Sequence, residues 1–138
     1  MRSSPSARKI TSLSRLRSAV RRAKARGKRV VFTNGCFDLL HAGHVTLLER
    51  AKRYGDLLIV GLNSDRSVRA LKGPGRPVIP ARDRARLLAA LTPVDYVVIF
   101  NERTPQRIIS RLVPDVLIKG SDWAAGAIVG TDVVRNAG

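Results

Sequence analysis

The two histidines of the chain lie three residues apart, in His41-Ala42-Gly43-His44. Ahead of them runs Val30-Val31-Phe32-Thr33-Asn34-Gly35-Cys36-Phe37-Asp38-Leu39-Leu40, an apolar run that reaches a Gly turn and becomes polar. On the first turn of a helix, residues three apart share one face. Both imidazoles would therefore meet one ligand. A strand that stops, a turn and a helix start together make a phosphate site, because free N–H groups and the helix dipole attract anions there. Gly35 and Gly43 let the backbone bend and approach a ligand closely. An isolated His-x-Gly-His reads as two surface residues, or as one cap and one core residue. The strand-turn-helix frame is what turns the reading toward polyphosphate.

The other residues fit for such chemistry are cations, Lys72, Arg76, Arg84 and Lys119, and the carboxylates Asp38, Asp65 and Asp122. There is no Ser–His–Asp order, no Cys–His pair and no metal-ligand spacing. A cation-dominated site suits phosphoryl and nucleotidyl transfer, which is mostly positioning and neutralisation of charge at the transferring phosphorus. An attacking sugar phosphate needs no general base, since its second pKa is about 6. Lys72 opens the loop Lys72-Gly73-Pro74-Gly75-Arg76-Pro77, whose glycines allow closure over phosphates. The alternatives are a solvated loop lysine for Lys72 and a helix-surface residue for Arg84.

These residues must be positioned by elements that the pattern lays out in turn. Residues 1–10 read as a loose basic tail. Leu13, Leu16, Val20 and Ala23 then mark a helix within 11–27, with Gly27 as its C-cap. Strands are predicted at about 29–33, 56–62, 96–100 and 116–119. Helices are predicted at about 43–54, 66–71, 81–91 and 104–112, the last with Thr104 capping and Pro105 at its first position. A final helical stretch follows Asp122 and Trp123. Alternating strands and helices argue for an α/β fold, a Rossmann-like doubly wound parallel sheet. The nearly unbroken apolar run over 56–62 fits a strand covered on both faces. In such a sheet ligands bind beyond the carboxyl ends of the strands. That rule gathers the 34–44 loop, residues 63–65, the 72–77 loop and residues 119–123, the last beginning Lys119-Gly120.

Composition bounds the rest. The chain has 138 residues, the length of one domain with a single core. One cysteine, Cys36, excludes an internal disulfide and reads as a packing residue, and a zinc site is not expected. No apolar run approaches the roughly 18 residues of a spanning helix, and no continuous apolar signal region opens the chain. No membrane role is expected, and a cytoplasmic protein is the default. Net charge is +16, and residues 1–29 hold eleven Lys and Arg and no acid. Such an arm could meet nucleic acid or an acidic membrane surface. Few aromatics and no RNA-binding signature favour a solvated helix face instead.

The motif resembles the cytidylyltransferase-like nucleotidylyltransferases. Phe32-Thr33-Asn34-Gly35-Cys36-Phe37-Asp38 with His41-Ala42-Gly43-His44 is most similar to the heptose 1-phosphate adenylyltransferases, as are Lys72-Gly73-Pro74-Gly75-Arg76-Pro77, Val129-Gly130 and Val133-Val134. The likeness runs from about Lys9 to Gly138. Nothing resembles the sugar-kinase half of two-domain relatives. The resemblance implies adenylyl transfer from ATP, with Mg²⁺ held through the ATP phosphates and not by protein side chains, to D-glycero-β-D-manno-heptose 1-phosphate. The products would be ADP-heptose and pyrophosphate, for the lipopolysaccharide core. It implies catalytic roles for His41, His44 and Lys72. It places Asn34, Gly35, Cys36, Phe37, Gly43, His44, Arg84, Lys119 and Gly120 on the nucleotide, and Asp38, Asp65, Lys72, Asp122 and Trp123 on the acceptor. For Asp122 a helix N-cap, and for Trp123 simple packing, remain open.

One departure from the family stands out. There the last helix is followed by a strand and a Ser/Thr-rich loop on the nucleotide phosphates, whereas here the sequence ends at Gly138. The expectation is a sheet without that C-terminal edge strand, whose bare edge would favour pairing with another copy as a homo-oligomer. Gly-x-Phe-Asp-x-x-His-x-Gly-His is shared with cytidylyltransferases acting on glycerol phosphate or similar alcohol phosphates, which stand as the alternative. A basic nucleic-acid-binding protein is the alternative from another class.

Overall fold

Among the described residues four apolar runs form four parallel strands: β1 (Val30–Gly35), β2 (Leu57–Asn63), β3 (Tyr96–Phe100) and β4 (Val116–Ile118). The computed structural model describes residues 5–119. The strand order is β3-β2-β1-β4. From β1 the chain steps outward to β2 and β3, then returns to pair β4 on the other side of β1. That reversal opens a crevice between the carboxyl ends of β1 and β4. β1 runs two residues further than its apolar run suggests, because the ladder continues through Asn34↔Gly61 and Gly35↔Leu62.

Among the described residues five α-helices, α1 (Leu13–Ala25), α2 (Ala42–Lys52), α3 (Asp65–Lys72), α4 (Ala81–Ala89) and α5 (Gln106–Leu112), connect and flank the strands. Successive strand residues point to opposite faces, and both faces are apolar. Val31, Leu58, Val60 and Val97 pack with Leu48 of α2 and Leu88 of α4. Val30, Phe32, Ile59 and Val98 pack with Leu16 and Val20 of α1 and with Ile108 and Ile109 of α5. Each such side chain contributes about 1.5–3 kcal/mol on full burial. The sheet is therefore covered on both sides, as a parallel sheet requires.

Helix ends follow local chemistry. Ser12 caps α1 by accepting from the Arg15 N–H, and Ser64 caps α3 by accepting from Ser67. Gly27, just past α1, takes φ 76°, where an L side chain would be strained. The start of α5 departs from expectation. Its N-cap is Pro105, with no side-chain cap. The cap position has moved one residue on, and Thr104 is exposed instead of capping.

Residues 5–10, expected to be a loose tail, are ordered. Pro5–Lys9 form a 3-10 helix. Ile10 bridges Val97 in parallel, the Thr11 N–H donates to the Val97 carbonyl at 3.0 Å, and Lys9 Nζ donates to the Leu91 carbonyl. The reason is the outer edge of β3, whose unpaired backbone groups this segment meets. Gly120, Asp122, Trp123, the expected final helix and the question of a further edge strand lie outside the described residues.

Candidate nucleotide site

The carboxyl end of β1 sets the geometry. After Gly35 the chain turns at Phe37, whose φ of 46° is left-handed. That conformation costs an L residue about 1–2 kcal/mol. It is held because the Phe37 ring is buried and meets His44 edge-on, with centroids 5.2 Å apart. The glycines act differently from the expectation of a bending backbone, since neither has positive φ. A Cβ on Gly35 would lie 2.9 Å from the Phe37 ring, and one on Gly43 would lie 2.8 Å from His41 Cε1. Their missing side chains make room for the two rings.

His41 is the N-cap of α2. Its Nδ1 accepts from the Gly43 N–H at 3.0 Å, and His44 Nδ1 accepts from the His41 N–H at 3.2 Å. The rings stack with centroids 3.9 Å apart. Each Nδ1 is thus an acceptor, which assigns the ring proton to Nε2. Both rings, each carrying its proton on Nε2, line one cleft of about 610 Å³ at the helix start. The sequence predicted the shared face. That the histidines also cap the helix shows only in three dimensions.

Asn34, Gly35, Cys36 and Phe37 line that cleft, as do Asp38, His41, His44 and Lys72. Gly43 sits beneath His41 in the first turn. Lys119 lies across the crevice, its Nζ 3.0 Å from Asn34 Oδ1, so β1 and β4 are bridged at the switch point. Burial lowers the pKa of this ammonium. Cys36 is half-buried, and burial raises its thiol pKa against the opposing charges of Lys72 and Arg84.

Three expected ligand residues have partners within the protein. Arg84 is fully buried. Its guanidinium donates to the carbonyls of Cys36 (2.6 Å), Asn63 (2.9 Å) and Ile79 (2.8 Å), and to Asp65 Oδ1 (2.7 Å). A helix-surface residue does not describe it. It ties the ends of β1 and β2 to the entry of α4, because a planar fork of donors can satisfy several carbonyls at once. Asp65 pairs with Arg84 and also accepts from the Ala81 N–H. Asp38 is buried and accepts from the N–H groups of Val78 and Ile79 at 2.8–2.9 Å, with Arg76 Nε 2.7 Å away. Burial alone would raise its pKa, but the Ile79 and Val78 N–H groups and the Arg76 charge outweigh it and hold the carboxyl below its usual value. Asp38 thereby closes the 76–79 segment onto the 36–38 turn.

The cleft also takes residues that sequence reasoning passed over. Arg103, Thr104 and Pro105 line it from the β3–α5 loop, and Leu39 and Leu71 supply apolar wall. The signal was available. The rule that ligands meet the carboxyl ends of strands applies to β3 as much as to β1, β2 and β4. Among the described residues no three of His, Cys, Asp and Glu converge as a metal site. The carboxylates of Asp38 and Asp65 are engaged by N–H groups and arginines. Any Mg²⁺ here would fit as a partner of phosphate oxygens and water.

A parallel sheet reversing beside β1, with a helix start and two histidines at the reversal, defines a Rossmann-like domain of nucleotidylyltransferase type. The chain belongs to the Cytidylyltransferase-like family, which it matches over residues 32–136. It is similar to the Bifunctional protein HldE of Geobacter metallireducens, 57% identical over 130 residues, 94% of this chain and 26% of that protein. The protein of the same name from Methylobacillus flagellatus is 54% identical over 136 residues, 99% of this chain and 28% of that one. The chain spans about a quarter of the length of these curated relatives. Among solved structures, a lipopolysaccharide core biosynthesis protein from Thermoplasma volcanium GSS1 superposes with a TM-score of 0.59 at 28% identity, covering 66% of this chain and 73% of that one.

Proposed function

We propose that this domain transfers the adenylyl group of ATP to D-glycero-β-D-manno-heptose 1-phosphate. The observation that carries the reading is the His41–His44 pair, with both Nδ1 atoms accepting backbone N–H groups and both stacked rings lining the cleft at a helix start. The similarity to the HldE proteins and to a lipopolysaccharide core biosynthesis protein supports the sugar phosphate as acceptor. A phosphate oxygen of the acceptor attacks the α-phosphorus in line, the bond from that phosphorus to the α–β bridging oxygen breaks, and pyrophosphate leaves with the bond electrons. His41 and His44 donate to phosphate oxygens as charge develops on them, and Lys72 closes on the same oxygens from the end of α3. Lys119 and Asn34 border the nucleotide at the switch point. Mg²⁺ travels with ATP and offsets triphosphate charge. With ATP as co-substrate, the reaction belongs in the cytoplasm.

The test is pyrophosphate release from ATP and from CTP, each with the heptose 1-phosphate and with glycerol 3-phosphate, in Mg²⁺. Release confined to ATP with the heptose is expected. Release from CTP with glycerol phosphate would replace the reading with a cytidylyltransferase, and silence in all four mixtures would overturn it.

A further inference from the structure

We propose that Arg103 holds the phosphate of the acceptor. The inference deepens the reading above and rests on it for the identity of the sugar. It starts from the uses of the cations around the cleft. Arg84 has its guanidinium engaged by three carbonyls and Asp65, Arg76 is paired to Asp38, and Lys119 is on Asn34. Glu102, the acid next to Arg103 in sequence, is paired with Arg107 at 3.2 Å. Arg103 is exposed, lines the cleft, and has no ion pair or hydrogen bond among the described residues. It is a charge at the site that no other described residue engages.

Its place in the fold says which ligand it meets. The switch point lies between β1 and β4, and the helix start with the two histidines follows β1. These features place the nucleotide and its α-phosphorus on the β1 side. Arg103 follows β3, two strands away, at a spacing of about 4.8 Å per strand. Roughly 10 Å separates the two strand ends, a gap that an attacking phosphate and an extended arginine side chain span together. The loop is fixed at that place. The Ser67 hydroxyl donates to the Glu102 carbonyl at 2.8 Å, and the Ser64 N–H donates to the Phe100 carbonyl at 2.9 Å, so the loop is tied to the start of α3. Thr104, exposed beside Arg103, adds a hydroxyl. Lys72, at the far end of α3, adds another cation to the lining of the same cleft. An arginine fork matches a phosphate dianion with two parallel N–H bonds.

The experiment measures equilibrium binding of the heptose 1-phosphate and, separately, of ATP–Mg²⁺ by calorimetry, on the full chain and on Arg103→Ala and Arg103→Lys. Loss of a charge-assisted contact should weaken sugar phosphate binding about 10-fold or more. ATP affinity should stay within about twofold, with the lysine variant intermediate because it keeps the charge and loses the fork. Unchanged sugar phosphate affinity in Arg103→Ala, absence of sugar phosphate binding to the unaltered chain, or an equal loss for ATP would each overturn the assignment. The two readings separate cleanly. Binding weakened by the substitution in a chain that releases no pyrophosphate would sink the adenylyl reaction and keep the phosphate contact. Turnover with unaltered affinity in the variant would do the reverse.

Discussion

At the scale of the residue, the histidine pair serves two ends. Each ring builds the first turn of α2 through Nδ1 and lines the cleft. The two roles can be separated. His41→Asn should keep the cap, since Asn is a strong N-cap residue. The melting temperature should then be nearly unchanged while pyrophosphate release falls about 100-fold. His44→Ala should lower turnover by about the same factor, and near-normal turnover in a folded His44 variant would remove it from the chemistry. Asp38 carries a pH signature. Its carboxyl is held below the ordinary value in the folded state, so the unfolded chain binds that proton more readily. The stabilisation is fully present above the unfolded value of about 3.9 and is lost as pH falls through the lowered folded value. Urea unfolding between about pH 5 and 2 should therefore show a shallower acid loss for Asp38→Asn than for the unaltered chain. Parallel curves would show that this carboxylate has the same affinity for protons folded and unfolded.

At the scale of the element, the site depends on a tie behind it. Arg84 on α4 satisfies carbonyls from the turn after β1, the end of β2 and the approach to α4. Arg84→Met keeps the bulk and strands those acceptors with Asp65. The expected loss is about 3 kcal/mol or more in urea unfolding, and a change under about 1 kcal/mol would deny the tie. The sheet has a comparable fixed point. A Cβ at Gly61 of β2 would come 2.6 Å from Phe32 Cζ, so Gly61→Ala should cost about 1–3 kcal/mol by pushing β1 and β2 apart in the core. An unchanged unfolding midpoint for Gly61→Ala would mean that Phe32 has room to move.

At the scale of the whole molecule, the N-terminal segment is both charge and cover. The arginines of α1 lie on solvent, with Arg15, Arg17, Arg21 and Arg22 exposed. The helix packs beside α5, on the sheet face opposite α2. Ahead of it, Ile10 and Thr11 pair with the outer edge of β3. Removing residues 1–11 should lower the melting temperature by roughly 5 °C and produce concentration-dependent association in light scattering, because a bare parallel edge invites pairing. A monomeric truncation with an unchanged melt would show that the edge needs no cover. No helix of the described residues is long and apolar enough to cross a membrane.

The strands and their parallel character were legible because a run such as Leu57 to Asn63 has no polar alternation, and only burial on both faces accommodates that. The histidine pair and its helix start were legible from spacing alone, since a period of 3.6 fixes which residues share a turn. Local sequence also named Asp38, Asp65 and Arg84 as site residues. It had no means to tell a charge that meets substrate from one that meets the protein's own backbone. Arg84 and the carbonyl of Cys36 are 48 residues apart, and Asp38 and the N–H of Ile79 are 41 apart. Contacts at that range exist only after β1, β2 and α4 have packed. The same holds for Arg103, an ordinary loop arginine until β3 takes its place two strands from β1. The sequence by itself determined the elements, their covered faces and the helix start that attracts phosphate, because those follow from periodicity and backbone chemistry. Which cations are engaged in holding the fold and which remain for a ligand was decided by the tertiary structure, because pairing depends on distance in space.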